Sequence, residues 1–472
     1  MEDILQGKLH GGDRLPGSRA LSNGLGVARS TVVQTLEELV SEGWLRSHQG
    51  AGTFVEVRLP EHFAVGEKDE TPKKSLGFSL PVTISRRQRA RNSSQETLQM
   101  GGGVPDLRLL PAPELARAYR TALLRKPEIV LGYGDPRGEP ALRRSISRLL
   151  TEHRGLAVDE NSVVMTRGAQ QALYLFAHAV LRPGDRVGVE SLGYPPAWEA
   201  FESAGAVLVP LPLDENGLLT SELKRYLPLK AIYTTPHHQF PTLATLSAKR
   251  RLELLHFAAL HQIAVVEDDY DHEIHFEGQP TRPLASTDSA GVVVYIGSLS
   301  KAFAPAARIG FMVAPTTLLG EVTSLRQIVD HQGDRVLENA MAELIDEELV
   351  SRHLRKITKT YRERRQLLLE MLEQELFDDV AAGVHRGGMT LWTKVLRVPA
   401  RGFVSSLPGY CLAEGLQITA AKSLHVQQKE LPFVRLGFAA LDEYELREGV
   451  MRLKRGIEKW RANGGCPLRK SR

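Results

Sequence analysis

Seven short apolar runs fix the layout of most of this chain. They lie at Val163–Thr166, Arg186–Glu190, Val207–Leu211, Ala231–Thr235, Ala264–Glu267, Val292–Ile296 and Phe311–Ala314. Amphipathic helical stretches such as Gln170–Leu181 and Lys249–Gln262 separate them. A strand that is apolar along its whole length must be covered on both faces. Helices between successive strands supply that cover and return the chain in the same direction, so a mostly parallel sheet is expected.

At 472 residues the chain is too long for one domain, and two or three are expected. Charged residues make up 25% and hydrophobic residues 42%, the balance of an ordinary globular protein. A net charge of +4 does not by itself demand a polyanionic partner. The two cysteines, Cys411 and Cys466, show no pairing pattern, which points to a reducing cytoplasm. The N-terminus lacks a basic-then-apolar leader, and no run of about 18 apolar residues occurs, so neither export nor membrane spanning is expected.

Residues 1–58 read as a separate small unit. A short helix starts at Ser18, which is placed as its N-cap, and Gly24-Leu25-Gly26-Val27 makes a turn. A second helix runs from about Arg29 to Ser41, with Val32, Val33, Leu36, Leu39 and Val40 at helical spacing. Two short strands around Gln49–Thr53 complete a helix-turn-helix with a hairpin wing. The unit carries six Lys/Arg against seven Asp/Glu, so any nucleic-acid affinity depends on local placement and on avidity. Residues 59–98 read as a linker that ends in the basic run Arg86–Arg91, a solvated segment or an added phosphate-backbone contact.

The chemistry gathers at the strand ends. Lys301 follows the run Val292–Ile296 and a Gly297 hinge, at the mouth of a buried site where an amine can become a nucleophile toward an aldehyde. Ser298 before it and Arg308 after it supply donors for a phosphate. The turn Thr166-Arg167-Gly168-Ala169-Gln170 opens a helix whose free N–H groups suit the same phosphate. Tyr194 follows another strand and can stack on a flat ring. The run Glu267-Asp268-Asp269-Tyr270-Asp271 sets Asp268 and Tyr270 on one side, an aspartate for a protonated pyridine nitrogen and a hydroxyl for a phenolic oxygen. A metal site at these carboxylates, with His272 and His275 near, is the weighed alternative. It leaves Lys301 and Arg308 unexplained, so no metal is expected.

The order Gly12-Asp13-Arg14-Leu15-Pro16, Ser18-Arg19-Ala20-Leu21, Leu25–Val32 and Gly50–Val55 closely resembles the winged-helix domain of GntR-type bacterial regulators. The resemblance places the helix from Arg29 in the major groove and the wing near the minor groove. It makes Arg19, Arg29, Ser30, Thr31, Gly50 and Thr53 candidates for contact with operator DNA. The family's first helix is shortened here to Met1–Leu9, which leaves part of the small core exposed. N-terminal extension is expected to improve operator binding, and a gel shift comparing the two lengths tests this.

Residues 99–472 resemble the fold-type I aminotransferases, with a smaller C-terminal α+β part after the sheet. Beyond the segments above, Tyr133–Gly138, Thr235–Thr242 and Phe433–Phe438 match. The implied cofactor is pyridoxal 5′-phosphate, covalently held by Lys301. By the same resemblance Asp268 pairs with the ring nitrogen, Tyr270 with the ring oxygen, and Tyr194 stacks. Gly168, Ala169, Gln170, Ser298 and Arg308 hold the phosphate, with Tyr133 reaching that of a partner in a homodimer. Arg435 grips an effector carboxylate. A winged helix fused to such a domain is the pattern of the MocR subgroup of GntR regulators. Two positions depart from it. Leu243 stands where a Gly often follows Pro-Thr, and Pro196 stands where γ-aminobutyrate-responsive members carry an Arg, so a different effector acid is expected.

The resemblance implies a cytoplasmic bacterial, nucleoid-associated regulator that senses an amine or amino acid by forming an external aldimine. The alternative is a working aminotransferase with a vestigial DNA-binding module. A scaffold without cofactor is the third class, excluded if the purified protein is yellow.

Overall fold

The computed structural model describes residues 2–57 and 97–468. The chain divides into two compact units, residues 1–85 and 86–472. The interdomain segment and its basic run Arg86–Arg91 lie outside the described residues.

In the first unit, α1 (Glu2–Leu5), α2 (Ser18–Leu25) and α3 (Arg29–Ser41) precede the antiparallel hairpin β1 (Leu45–His48) and β2 (Gly52–Val55). Gly50 and Gly52 have φ of +79° and +112°, which lets the wing turn without Cβ strain. Ile4, Trp44, Leu45 and Val55 form the small core. Two expectations need correction. Gly17, not Ser18, is the N-cap of α2, and the Ser18 hydroxyl instead accepts from Arg29 Nε at 3.3 Å. The apolar period of α3 is also only partly used: Val32 is buried, while Val33 faces solvent.

The second unit is built on a seven-stranded sheet. Its strands are β3 (Val163–Thr166), β4 (Arg186–Glu190), β5 (Val207–Leu211), β6 (Ala231–Thr234), β7 (Ala264–Asp269), β8 (Val293–Ser298) and β9 (Gly310–Val313). They lie in the order β3-β9-β8-β7-β6-β4-β5. All neighbours are parallel except β9, which runs antiparallel to both β8 and β3. Helices α4 (Gly168–Val180) and α5 (Ala248–His261) occupy the predicted crossovers. The expected glycine hinge before Lys301 is instead part of the ladder. Gly297 lies within β8 opposite Phe311, whose ring would stand 2.3 Å from any Cβ there.

The C-terminal part carries a four-stranded antiparallel sheet of β10 (Val380–Ala382), β11 (Thr390–Val395), β12 (Thr419–Ala420) and β13 (Phe433–Gly437), in the order β10-β11-β13-β12. Helices α6 (Leu349–Leu376) and α7 (Glu443–Ala462) pack against it through residues such as Leu368, Leu391, Leu436 and Trp460. Asp442 and Glu445 close a reciprocal capping box at the start of α7. Residues 98–99, assigned from the sequence to the linker's end and the domain's start, pair in parallel with Leu416–Gln417 and thus belong to this part.

Candidate functional site

Strands β6, β7 and β8 run parallel, so their C-terminal ends open on one crevice, the usual ligand position in an open α/β sheet. Lys301 comes three residues after β8 and donates from Nζ to the carbonyl of Gly103. Burial, with the Arg435 charge adding to it, lowers its pKa to about 8. Gly103 makes room for Arg435 and Met389, because a Cβ there would lie 3.1 Å from Arg435 Nη2 and 3.3 Å from Met389 Cβ.

A lysine is nucleophilic only when neutral. With a pKa of about 8, roughly a tenth of the amine is neutral at pH 7. With Lys301 in the role that the resemblance implies, capture of pyridoxal phosphate by cofactor-free protein is expected to speed up as pH rises and to level off above pH about 8. Stopped-flow absorbance measures this, and a rate still climbing at pH 10 would show an ordinary lysine.

The acidic run divides its labour. Glu267 accepts from the backbone N–H groups of Leu284 and Ala285. Asp269 accepts from the Tyr295 hydroxyl at 2.7 Å and lies 2.9 Å from His272 Nδ1. Asp271 pairs with His238 Nδ1 at 2.8 Å. Asp268 accepts from the Tyr233 hydroxyl at 2.8 Å through one oxygen, while Oδ1 is buried with no donor. Burial, more than its acidic neighbours, raises the Asp268 carboxyl to about 7. Such a group gains from a cationic N–H donor, which is what a protonated pyridine offers.

Tyr270 follows β7, and its hydroxyl is likewise buried without a partner. Tyr194 packs edge-on against Phe240, with ring centroids 5.5 Å apart, and Phe240 in turn meets Tyr270 at 6.0 Å. Arg435 on β13 lies across from Trp392, with its guanidinium 4.4 Å from the Phe240 ring centroid. It is buried and donates to Thr390 Oγ1 at 3.3 Å. No carboxylate among the described residues forms an ion pair with it, and burial lowers its pKa.

The phosphate-type groups also converge. Gly168 (φ +74°) opens α4, and a Cβ there would meet the Arg308 guanidinium at 3.1 Å. Gly310 lies so close that its own Cβ would be 2.6 Å from Gly168 Cα. Ala169 follows on α4, while the Gln170 side chain donates to the Pro196 carbonyl at 2.8 Å and so ties α4 to the segment after Tyr194. Ser298 Oγ donates to the Ile309 carbonyl at 3.3 Å and accepts from the Ser300 N–H at 3.1 Å. Arg308 is solvent-exposed and donates to the Arg167 carbonyl at 2.7 Å. Tyr133 stands apart at the surface, 90% exposed.

Sequence reasoning missed Tyr233, Phe240, Gly103 and Ser300, whose hydroxyl is buried without a partner. Phe240 lies inside a segment already singled out, but nothing in its spacing said that its ring would touch three site residues. Leu243 adopts φ +65°, a left-handed conformation that explains the preference for glycine there and costs a non-glycine residue about 1 kcal/mol. Its side chain is buried, 2.9 Å from where a Cβ on Gly388 would lie.

The seven-stranded sheet with its C-terminal antiparallel part has the architecture of the fold-type I proteins, and a lysine, a buried aspartate and two aromatics lie at its strand ends. Residues 98–453 match the family described as Aminotransferase class I and II, and residues 1–55 match the Bacterial regulatory proteins, gntR family. The chain is 29% identical to the "Probable rhizopine catabolism regulatory protein MocR" of Rhizobium meliloti, over 99% of this chain and 94% of that one. It is 30% identical to the "HTH-type pyridoxine biosynthesis transcriptional regulator PdxR" of Corynebacterium glutamicum, over 78% and 76%. Among solved structures, alpha-aminoadipate aminotransferase LysN of Thermus thermophilus, complexed with N-(5'-phosphopyridoxyl)-L-leucine, matches with TM-score 0.72 at 28% identity, covering 78% of this chain and 94% of that one.

The chain belongs to the MocR subgroup of GntR-type transcriptional regulators, a GntR helix-turn-helix domain fused to an aminotransferase class I and II domain. Its cofactor is pyridoxal 5′-phosphate.

Proposed function

We propose that residues 99–472 form an amine- or amino-acid sensor whose state sets the DNA affinity of residues 1–58. The observation that carries this reading is Arg435, a buried guanidinium with no carboxylate ion pair, beside Lys301 in the aromatic-lined crevice. An effector carboxylate would complete it with a charge-assisted bidentate contact. The effector's amino group would then lie near Lys301, and the bound cofactor supplies an aldehyde and an electron-sink ring. Asp268 would hold the ring nitrogen, Tyr270 the ring oxygen, and Tyr194 would stack on the ring. Gly168, Ala169, Gln170, Ser298 and Arg308 would hold the phosphate, Gln170 through its backbone because its side chain is spent on Pro196.

Replacing Asp268 by Asn leaves the carboxylate's place to a neutral amide and removes the charge that keeps the ring nitrogen protonated. Cofactor affinity is expected to fall about 10- to 100-fold, at about 1.5–3 kcal/mol for a charge-assisted hydrogen bond. Equilibrium dialysis of the variant measures it.

On the DNA side, Arg19, Arg29, Ser30, Thr31 and Gly50 are exposed, as base and phosphate contacts require, and Thr53 is half-buried. Arg29 is oriented by Ser18. Operator DNA and a small amine or amino acid are the partners of this reading, in a homodimer where the exposed Tyr133 reaches across to the second site. No helix among the described residues is long and apolar enough to cross a membrane, which fits work on cytoplasmic DNA.

Footprinting on the protein's own promoter, with and without a panel of amino acids, tests the sensor. Protection that changes with one amino acid supports it. Unchanged protection together with steady turnover of an amino acid and a keto acid would favour the aminotransferase reading. That second reading rests on the intact set of Lys301, Asp268, Tyr270 and Arg435.

A further inference from the structure

The loops after β6 and β7 also bring together a group of histidines that the cofactor site does not use. Ring nitrogens of His237, His238 and His275 all lie within 4.8 Å of one another. His237 and His238 are only 3% and 2% exposed. Both nitrogens of His237 are buried without a hydrogen-bond partner. Burying a polar group with no partner costs free energy, and one ring nitrogen from each histidine meets the others at this spot, where a ligand would satisfy them.

We propose that His237, His238 and His275 form a binding site for an imidazole-preferring divalent transition ion such as Zn²⁺, distinct from the pyridoxal phosphate site. Imidazole suits zinc, copper and nickel, whereas magnesium and calcium require oxygen ligands. Nitrogens bound to one tetrahedral zinc at about 2.0–2.1 Å stand about 3.4 Å apart, so modest side-chain rotations close the observed cluster.

The surroundings are built for this role. His238 Nδ1 is held by Asp271 at 2.8 Å, which leaves Nε2 as its ligand atom and makes a carboxylate–histidine–metal relay. Gly387 keeps that nitrogen clear, since a Cβ there would lie 2.7 Å from His238 Nε2. His275 pairs with the same glycine across an isolated β-bridge, which fixes its backbone beside the site. Asp269 and Asp271 supply nearby negative charge, against which Arg386 acts on His275. Three protein ligands leave the fourth position open to water or a small anion.

The test uses untagged full-length protein, loaded with pyridoxal phosphate, in a Cys466→Ser background that removes the exposed thiol. After treatment with a chelator it is titrated with Zn²⁺, and bound metal is counted by mass spectrometry. About one zinc per chain is expected, with Mg²⁺ unable to compete. His275→Ala and His237→Asn should each abolish stoichiometric binding, and Asp271→Asn should weaken it about 10- to 100-fold. Circular dichroism and cofactor absorbance report whether each variant folds. Should His237→Asn not fold, the half-buried His275→Ala decides alone. Zinc bound well below one per chain, or bound equally by wild type and His275→Ala, would overturn the proposal and leave an adventitious ion only.

Discussion

Replacing Lys301 by alanine is expected to abolish the lysine Schiff-base absorbance of cofactor-loaded protein and, with it, the influence of any amino acid on DNA binding. The reason lies in how the amine is held. Burial beside Arg435 brings its pKa down to about 8, and its Nζ rests on the Gly103 carbonyl at the crevice mouth. Alanine removes both the proposed attachment point and a cation that the site tolerates poorly. The cofactor-free variant is therefore expected to melt no lower than wild type, so loss of response cannot be blamed on unfolding. Absorbance spectra, thermal melts and footprinting on the same preparation check the three expectations together. An undiminished effector response in Lys301→Ala would refute a sensing mechanism that runs through this side chain.

Arg435→Leu produces the second large effect, and it separates stability from function. Arg435 is a buried guanidinium with Thr390 Oγ1 and the Phe240 ring beside it, and burial lowers its pKa. Removing an uncompensated buried charge costs the cofactor-loaded protein little stability and can raise it. Binding of a carboxylate effector, by contrast, loses its charge-assisted contact. Truncating one partner of such a buried pair costs about 2–5 kcal/mol, a loss of about 30-fold to several thousand-fold in affinity. Simple amines without a carboxylate are expected to bind both forms about equally. A spectral titration with matched amine and amino-acid ligands reads the difference, and equal losses for both ligand types would remove Arg435 from carboxylate recognition.

Gly297 shows where local reading stopped in the fold. A glycine before a lysine at a strand end reads as a hinge, yet it is the one residue that lets the Phe311 ring of β9 lie on β8. Leu243 shows the reverse. The departure was visible in the sequence, but only the backbone, at φ +65°, gives its physical meaning. Ser18 illustrates a third kind of limit, because its hydroxyl could cap a helix or orient Arg29, and the packing of α2 on α3 selected the second.

The sequence by itself determined the order of strands and helices, the two-part plan and the candidate residues at each strand end. These depend on periodicity and on residue chemistry within a few positions. Tertiary structure alone decided which of those residues share a space. Tyr233 comes to Asp268 from the neighbouring strand, Gly103 reaches Lys301 from nearly two hundred residues away, and Phe240 stands among Tyr194, Tyr270 and Arg435. The histidine cluster follows the same rule, since strands β6 and β7 are parallel neighbours and their trailing loops must meet. Strand order and register across the sheet are set by long-range pairing, which no local pattern encodes.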